Sequence, residues 1–312
     1  MLRYLGHRVL LLIPVVFGVI TISFFLMHMS PGDPARTLLG PKASQHSVDL
    51  LRHQWGLDRG LGWQYLHFLG ATVTGQLGDS FYFASPIMQL LRLRIPVTLL
   101  LMLMGAIFAV VIAVPLSVVS TTSRHSYSAA VVRGFNAVVQ GMPTFFIGSM
   151  LILFLGLKAG AFPAGGYPSS GFPAQLRALI LPAFTVALGM VPLLVRSLNA
   201  SMTEISRSEF VAFGRAKGLD RGRVMLRYVI RNSSIAGISI LGIQVAVLAG
   251  GTLVVEQVFA LPGMGSLLMD AILNRDYPVV QACTLTFAIL VVLIYLVTDL
   301  LYAALDPRVR QV

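Results

Sequence analysis

Long apolar stretches dominate the pattern of hydrophobic and polar positions along this chain of 312 residues. A helix that spans a membrane needs about 20 mostly apolar residues. The stretches that meet this requirement occupy residues 9–29, 97–119, 131–157, 178–195, 235–255 and 279–298. The pattern therefore predicts an all-α membrane protein with six transmembrane helices in a single domain, 1–312.

The segments between these stretches are more polar or are interrupted by helix breakers. We expect residues 30–96 to form a long loop, in which 60–78 forms either a short helix or one lying on the membrane. Several prolines and glycines in 159–176 predict a second loop. Asp276 belongs to a loop after the fifth span and is expected to be solvated.

The distribution of lysine and arginine predicts the orientation of the spans. Short cytoplasmic loops carry an excess of these residues. The N-terminus, the loop between spans two and three, the segment 201–234 and the C-terminus are all basic, and with six spans they share one side. Both termini are therefore predicted to be cytoplasmic. The outer loop 30–96 also holds basic residues, but it exceeds the ~60-residue length for which the rule is reliable.

Composition supports a membrane protein and excludes several other classes. Hydrophobic residues make up 56% of the chain and charged residues 11%, against about 25% charged in soluble domains. The net charge is +11, which in so apolar a chain indicates basic residues beside membrane lipid and no nucleic acid partner. With a single cysteine and no phosphate-binding loop, no catalytic group, cofactor or metal site is predicted.

The cytoplasmic segment 201–234 has the most informative local pattern. Ser206 and Glu209 fit a capping box at the start of a helix. Gly218 stands where a left-handed C-terminal residue is favoured, and Asp220 is placed to cap a second helix that runs into the fifth span. Two interpretations remain open. The segment either transmits force from a soluble partner, or it is an ordinary basic loop that contacts lipid headgroups.

The same segment carries a resemblance to a known family. Residues 209–219, with the sequence EFVAFGRAKGL, are similar to the EAA loop of ABC importer permeases. Other stretches resemble the dipeptide, oligopeptide and nickel permease family, specifically the permease type with a long loop after the first span. They are LRYLGHR at 2–8, SPGDPA at 30–35, GTLVVE at 251–256, LPGMG at 261–265, AILNRDYP at 271–278 and DLLYAALDPR at 299–308.

The resemblance implies a fold, partners and a location. The fold is that of a type I ABC importer permease, without a catalytic group in this chain. The partners are a second homologous permease, two cytoplasmic ATPase domains that bind ATP and Mg²⁺, and an extracytoplasmic substrate-binding protein. The location is the inner membrane of a prokaryote.

In that family the EAA loop forms a coupling helix that docks into a groove of the ATPase. The resemblance carries this role to Glu209, Phe210, Phe213, Gly214, Arg215, Ala216, Lys217 and Gly218. Gly214 stands where the family usually has alanine, which weakens a helix interior by up to about 1 kcal/mol. Ala236 stands where the family usually has a proline.

Candidate pathway or gate residues lie in and just after the fifth predicted span. Gln244 is weakly polar, and Gly250 with Gly251 forms either a close-packing site or a hinge. Glu256 ends the span, where an acidic residue is a functional candidate. It either faces the pathway or fixes the outer loop.

The predicted cargo is a short peptide. Borderline metals such as nickel favour imidazole and thiolate ligands, and the spans offer only Cys283 and one histidine besides thioethers. Small, weakly polar residues are frequent in the spans and suit a peptide backbone. Nickel, glutathione and haem remain alternatives. A secondary carrier or channel would need ionisable residues at mid-span, and an intramembrane enzyme a catalytic dyad or metal set.

Cysteine labelling tests the predicted topology. In a Cys283→Ser background, Asp220→Cys should react with a membrane-impermeant thiol reagent only after the cells are opened, because residue 220 is predicted to be cytoplasmic. Labelling of this position in intact cells would reverse the assignment.

Overall fold

The computed structural model of the chain describes residues 2–29, 36, 44–54, 56–122, 127–169 and 171–305. The motif at 30–35 and the end of the C-terminal motif, from 306 onward, lie outside these ranges. Within them the chain is helical apart from connecting loops and one bridge between Asp79 and Pro86. The helices are α1 (Leu2–Met29), α2 (Gln45–Gln54), α3 (Leu61–Thr74), α4 (Ile87–Thr122), α5 (Tyr127–Gly141), α6 (Thr144–Leu151), α7 (Phe172–Ser206), α8 (Glu209–Ala216), α9 (Arg221–Val224), α10 (Arg231–Val258), α11 (Met264–Leu273) and α12 (Tyr277–Leu305).

Four helical segments in the described ranges are long and apolar enough to cross a membrane. They are Ile87–Thr122, Phe172–Ser206, Arg221–Val258 and Tyr277–Tyr302. These segments contain the second, fourth, fifth and sixth predicted spans. The first lies in α1, where Ile13–Phe25 forms a shorter apolar helix. The all-helical membrane fold is confirmed with four spans, or five if a bent pair counts as one, and a sixth stays a prediction.

The third predicted span is not one straight helix. Residues 131–157 fall on α5 and on the helix from Thr144 to Lys158, and the two are bent by 105°. Pro143 stands at the break in an extended conformation, and its carbonyl accepts from the N–H of Phe146 and of Ile147. Proline has no N–H to donate and disfavours helix in the residue before it, so the first helix stops and the second begins. The third predicted span is therefore not a straight helix but is broken at Pro143, and its crossing of the membrane as one span stays a prediction.

Other boundaries also differ from the apolar pattern. Helix α4 begins at Ile87, inside the predicted loop 30–96. Its first turns contain polar and charged residues, so they are not part of the apolar stretch from which the span was predicted. A helix within 60–78 is confirmed by α3, whose C-terminal cap Gly75 has a φ of 73°, and its position in the loop or on the membrane stays a prediction. Ahead of α3, a 2.6 Å hydrogen bond with His53 lowers the pKa of Asp58 below its ordinary value.

The helices belong to two compact units, each described by itself. The first comprises Thr98–Pro262 and Leu293–Val312. Its central element is α7, 72% of whose most apolar stretch is buried, against 28–39% in the other three candidate spans. Small residues let helices approach α7 closely, because a Cβ on Gly105 would lie 2.7 Å from Val186 and one on Gly237 would lie 2.7 Å from Leu198.

The second unit comprises Leu2–Val97 and Gly263–Val292. Its core joins the start of α4 to α11 and the start of α12. The buried members are Ile87, Leu90, Leu91, Met264, Leu267, Ala271, Val279, Ala282 and Cys283. This apolar cluster surrounds the only cysteine of the chain.

Asp276 is buried in this second unit, so the expectation that it is solvated is wrong. Only 1% of the residue is exposed. Its Oδ2 accepts hydrogen bonds from the Ser80 hydroxyl at 2.5 Å and from the Tyr82 N–H at 3.0 Å. The donors come from a turn far away in the sequence, which the local pattern around Asp276 cannot reveal. The carboxylate thus fixes that turn to the residue preceding α12.

We expect Asp276→Ala to lower the temperature at which Cys283 reacts with a fluorogenic maleimide. The substitution leaves the buried Ser80 hydroxyl and the partly buried Tyr82 N–H without their acceptor, and the buried donor alone costs about 1–3 kcal/mol. Asp276→Asn keeps an acceptor oxygen and should shift the transition less. Asp270→Ala, in the same unit, serves as the control, and equal transition temperatures for the alanine variants at 276 and 270 would contradict this role of Asp276.

Candidate coupling segment and pathway helix

The coupling segment, residues 209–218, is separated from the end of α7 by Arg207 and Ser208. Ser206 is the last residue of α7, and Glu209 is the first residue of α8. The predicted capping box is therefore wrong. Ser208 precedes α8, but its hydroxyl donates to the Ile205 carbonyl at 2.6 Å and does not cap the new helix. The pattern of Ser206 and Glu209 thus spans the end of α7 and the start of α8 instead of the first turn of one helix. The last carbonyls of a helix lack intrahelical partners, and one of them accepts the Ser208 hydroxyl.

The end of the coupling segment agrees with the sequence. Gly218 has a φ of 80°, the left-handed conformation predicted for it. Asp220 caps the next helix, since its Oδ2 accepts from the Gly222 N–H at 2.9 Å. That helix continues from α9 through a π-helical stretch, Met225–Ile230, into α10. The helix–glycine turn–helix arrangement is confirmed.

One face of α8 packs on the chain. Val211 and Gly214 are buried. The Phe210 ring lies 6.4 Å from the ring of Tyr228, which belongs to the π-helical stretch. A Cβ on Gly214 would make ordinary contacts, 3.7 Å from Leu219 and 3.9 Å from Tyr228. Alanine therefore fits this position, and the packing of α8 does not require the glycine.

The other face of α8 carries exposed aromatic and basic groups. Phe213 is 61% exposed and Phe210 is 46% exposed. The Lys217 ammonium lies 4.5 Å above the Phe213 ring, and Arg215 is also exposed. Exposed apolar groups beside polar ones are typical of protein-binding surfaces. The structure thus brings all eight predicted coupling residues together in one helix and its terminal turn.

Leu226 is a further exposed residue that the sequence pattern did not single out. It lies in the π-helical stretch after α9 and is 67% exposed. In the sequence it looks like one more apolar residue of a helix that leads into a span. The arginine that follows it, Arg227, is the feature of the sequence that could have indicated an exposed position for Leu226.

The four candidate pathway residues do not share one face of α10. Gly250 and Gly251 are exposed, and a Cβ added to either would meet nothing within 4 Å. Gln244 is half-buried, whereas Glu256 is completely buried. Three apolar residues, Ile243, Val247 and Val254, are exposed at helical spacing with Gly250. This exposed stripe of α10 is covered by no other described part of the chain.

Glu256 lies inside the first unit and not on the exposed stripe. Its Oε1 accepts a hydrogen bond from the Thr98 hydroxyl of α4 at 2.7 Å. One turn earlier, the Thr252 hydroxyl is buried and has no hydrogen-bond partner among the described residues. The geometry therefore favours a role in joining α10 to α4 over a role as part of an open lining.

No group of three or more histidine, cysteine, aspartate and glutamate side chains suited to a metal ion occurs in the described ranges. The sequence had predicted neither a metal nor a cofactor. The chemistry available in the coupling segment and on α10 is that of binding and movement.

Two family models match this sequence, and together they cover almost all of it. The model of the binding-protein-dependent transport system inner membrane component matches residues 113–311. The model of the N-terminal part of such membrane components matches residues 1–102.

Similar curated proteins match over their full length. The oligopeptide transport system permease protein AppB of Bacillus subtilis is 35% identical, with 99% of this chain and 100% of AppB covered. The glutathione transport system permease protein GsiC of Escherichia coli K12 is 34% identical, with 99% of each chain covered.

Solved structures show the same fold in the aligned part of the chain. An inward-facing form of the MetNI methionine ABC transporter aligns with a TM-score of 0.60 at 18% identity, covering 71% of this chain and 98% of that chain. A crystal structure of an amino acid ABC transporter with histidines aligns with a TM-score of 0.52 at 13% identity, covering 69% and 94%.

Gly218→Val should leave the chain in the membrane but reduce substrate-stimulated ATPase activity in a reconstituted complex. A β-branched residue at a φ of 80° is strained by roughly 1–3 kcal/mol, so the turn that ends α8 would move. Asparagine tolerates this conformation, which makes Gly218→Asn the matched control. If the valine variant matched the wild type in both ATPase activity and uptake, the segment would be an ordinary basic loop.

Proposed function

Because the chain belongs to the family of inner membrane components of binding-protein-dependent transport systems, we propose that it is one of two permeases of an ATP-driven peptide importer. The subunit is a non-catalytic part of the transport system and carries no cofactor. We further propose six spans in a single type I permease domain, with both termini and residues 201–234 in the cytoplasm and 30–96 outside. The observation that carries the proposal is α8, a short helix with two exposed phenylalanines between two long helices.

Helix α8 is the proposed docking element for a cytoplasmic ATPase. A second ATPase domain would engage the partner permease, and both would supply the ATP and Mg²⁺ sites that this chain lacks. The exposed rings of Phe210 and Phe213 would enter an apolar groove. The basic groups of Arg215 and Lys217 would contact its rim. A surface that contacted only lipid headgroups would need the basic residues but not two exposed aromatic rings in the same short helix.

Movement of α8 would reach the membrane through the helices at its two ends. Helix α7 ends only two residues before α8, and the helix from Arg221 to Val258 begins shortly after it. These two helices pack closely at Leu198 and Gly237. A displacement of α8 that follows ATP binding would therefore tilt both together, and access to the pathway would change from one side to the other.

The exposed stripe of α10 is the proposed contribution of this chain to the pathway. Gly250 and Gly251 leave room there for a substrate or for the homologous second permease, and Gln244 borders the stripe. Glu256 would support the stripe from behind through its bond to Thr98. An extracytoplasmic binding protein would deliver the cargo from the outer side.

Short peptides are the cargo that the similarities favour. The relative from Bacillus subtilis is named for oligopeptide transport. Glutathione is a second candidate, because the relative from Escherichia coli is named for it. The described ranges hold no cluster of metal ligands, which gives nickel no specific support. Haem likewise has no observation in its favour.

Uptake by a strain deleted for the gene identifies the cargo. We expect deletion to abolish uptake of a labelled dipeptide or pentapeptide and a plasmid copy to restore it. Labelled glutathione and Ni²⁺ are measured in parallel. Loss of nickel uptake with both peptides unaffected would refute peptide import, and loss of glutathione uptake alone would favour the second candidate.

A further inference from the structure

A polar cavity of about 590 Å³ opens in the first unit between α4, α5 and α7. It lies at the end of the unit that carries the coupling segment, because its lining reaches Ser120, near the end of α4, and Thr203, near the end of α7. In the proposed topology this is the cytoplasmic end. Its volume falls in the range of about 300–1,000 Å³ that is typical of small-molecule sites.

The charge of the cavity is positive and is not neutralised by its own lining. Arg133 of α5 and Arg196 of α7 both line it, and none of the lining residues is acidic. Arg196 donates one hydrogen bond to the Gln140 side chain at 2.7 Å. Arg133 makes no hydrogen bond or ion pair with any residue in the described ranges. Both arginines are exposed, so their guanidinium groups are accessible to an anion that enters the cavity.

Asn199 and the hydroxyl groups around it already have partners, whereas the Asn136 Oδ1, which also belongs to the lining, is buried without a hydrogen-bond partner among the described residues. The Asn199 amide donates to the Ser120 hydroxyl at 2.8 Å. Its oxygen accepts from the hydroxyls of Thr121 at 3.1 Å and Thr203 at 3.3 Å. Helices α4 and α7 are thereby joined beneath the opening. The donors suited to an anion are those of the guanidinium groups, which present planar pairs of N–H groups that match a carboxylate or a phosphate.

We propose that this cavity binds an oxyanion through Arg133 and Arg196. Two sources fit the chemistry at this end of the unit. One is the C-terminal carboxylate of a peptide on its way to the cytoplasm, a source that rests on the proposed function. The other is the phosphate of an anionic phospholipid in the inner leaflet. In either case the anion lies between α5 and α7, beside the helix that leads into the coupling segment.

The complete importer, reconstituted in vesicles, tests the proposal with the double variant Arg133→Gln/Arg196→Gln. Uptake of the dipeptide Ala-Phe is compared with that of its C-terminal amide, in phosphatidylcholine with and without phosphatidylglycerol. The ratio of acid to amide uptake is the first readout, since the binding protein and ATPases are the same throughout. The second readout is the dependence of the ATPase activity on phosphatidylglycerol in the vesicles. Arg177→Gln, at the opposite end of α7, is the control.

If the anion is the peptide carboxylate, the double variant should lower the acid-to-amide ratio about tenfold, the effect of losing one charge-assisted hydrogen bond. If it is a phospholipid phosphate, the ratio should stay constant while the wild-type dependence on phosphatidylglycerol disappears. No change in either readout would overturn the proposal. Absence of ATP-dependent uptake by the wild type would instead refute the proposed import of peptides.

A second pair of variants avoids removing the arginines. Ala200 lines the cavity four residues after Arg196 on α7, so a glutamate there would lie beside the guanidinium group. Ala200→Glu should reproduce the effect of the double variant, and Ala200→Gln, of the same size but uncharged, should not. Equal behaviour of these two variants would count against an oxyanion site even if the double variant failed to assemble.

Discussion

The close packing of α7 on the helix from Arg221 to Val258 is the constraint on which the candidate function depends. The two helices flank α8 in the sequence and meet at Leu198 and Gly237, where a Cβ on the glycine would lie 2.7 Å from the leucine. Lipid gives helices no hydrophobic reason to associate, so such contacts rely on small residues and close fit. Because both flanking helices are fixed to each other, α8 has little freedom to move alone. In the proposed mechanism, a force applied to α8 would therefore move both long helices.

The two faces of α8 have different roles: one holds the helix on the chain and the other is exposed. A helix of eight residues is too short to be stable by itself. Its stability comes from burying Val211 and from the contact of Phe210 with Tyr228. The ends are set by Gly218 and by the Asp220 cap. Phe210 nevertheless keeps 46% of its surface exposed and Phe213 keeps 61%, so both rings remain accessible to a partner.

The features that the sequence predicted correctly are local in origin. A left-handed glycine and an aspartate cap involve residues one to four positions apart, so Gly218 and Asp220 follow from the pattern alone. The apolar length of a span is equally local. The prediction for Ser206 was wrong because a cap and a helix end look alike in sequence. The break in the third span was missed because a proline in an apolar stretch either bends or interrupts a helix. The burial of Asp276 depends on Ser80, which no local pattern connects to it.

Acidic and basic groups near membrane depth have separate roles in this chain. The carboxylates of Glu256 and Asp276 accept hydrogen bonds from hydroxyl and backbone donors, and both lie in the interior of a unit. They join segments that are distant in sequence. Among the described residues, neither Arg133 nor Arg196 forms a salt bridge. In the proposed anion site, a carboxylate in the lining would occupy the two guanidinium groups permanently, whereas a lining without acids leaves them available to an anion that binds and leaves.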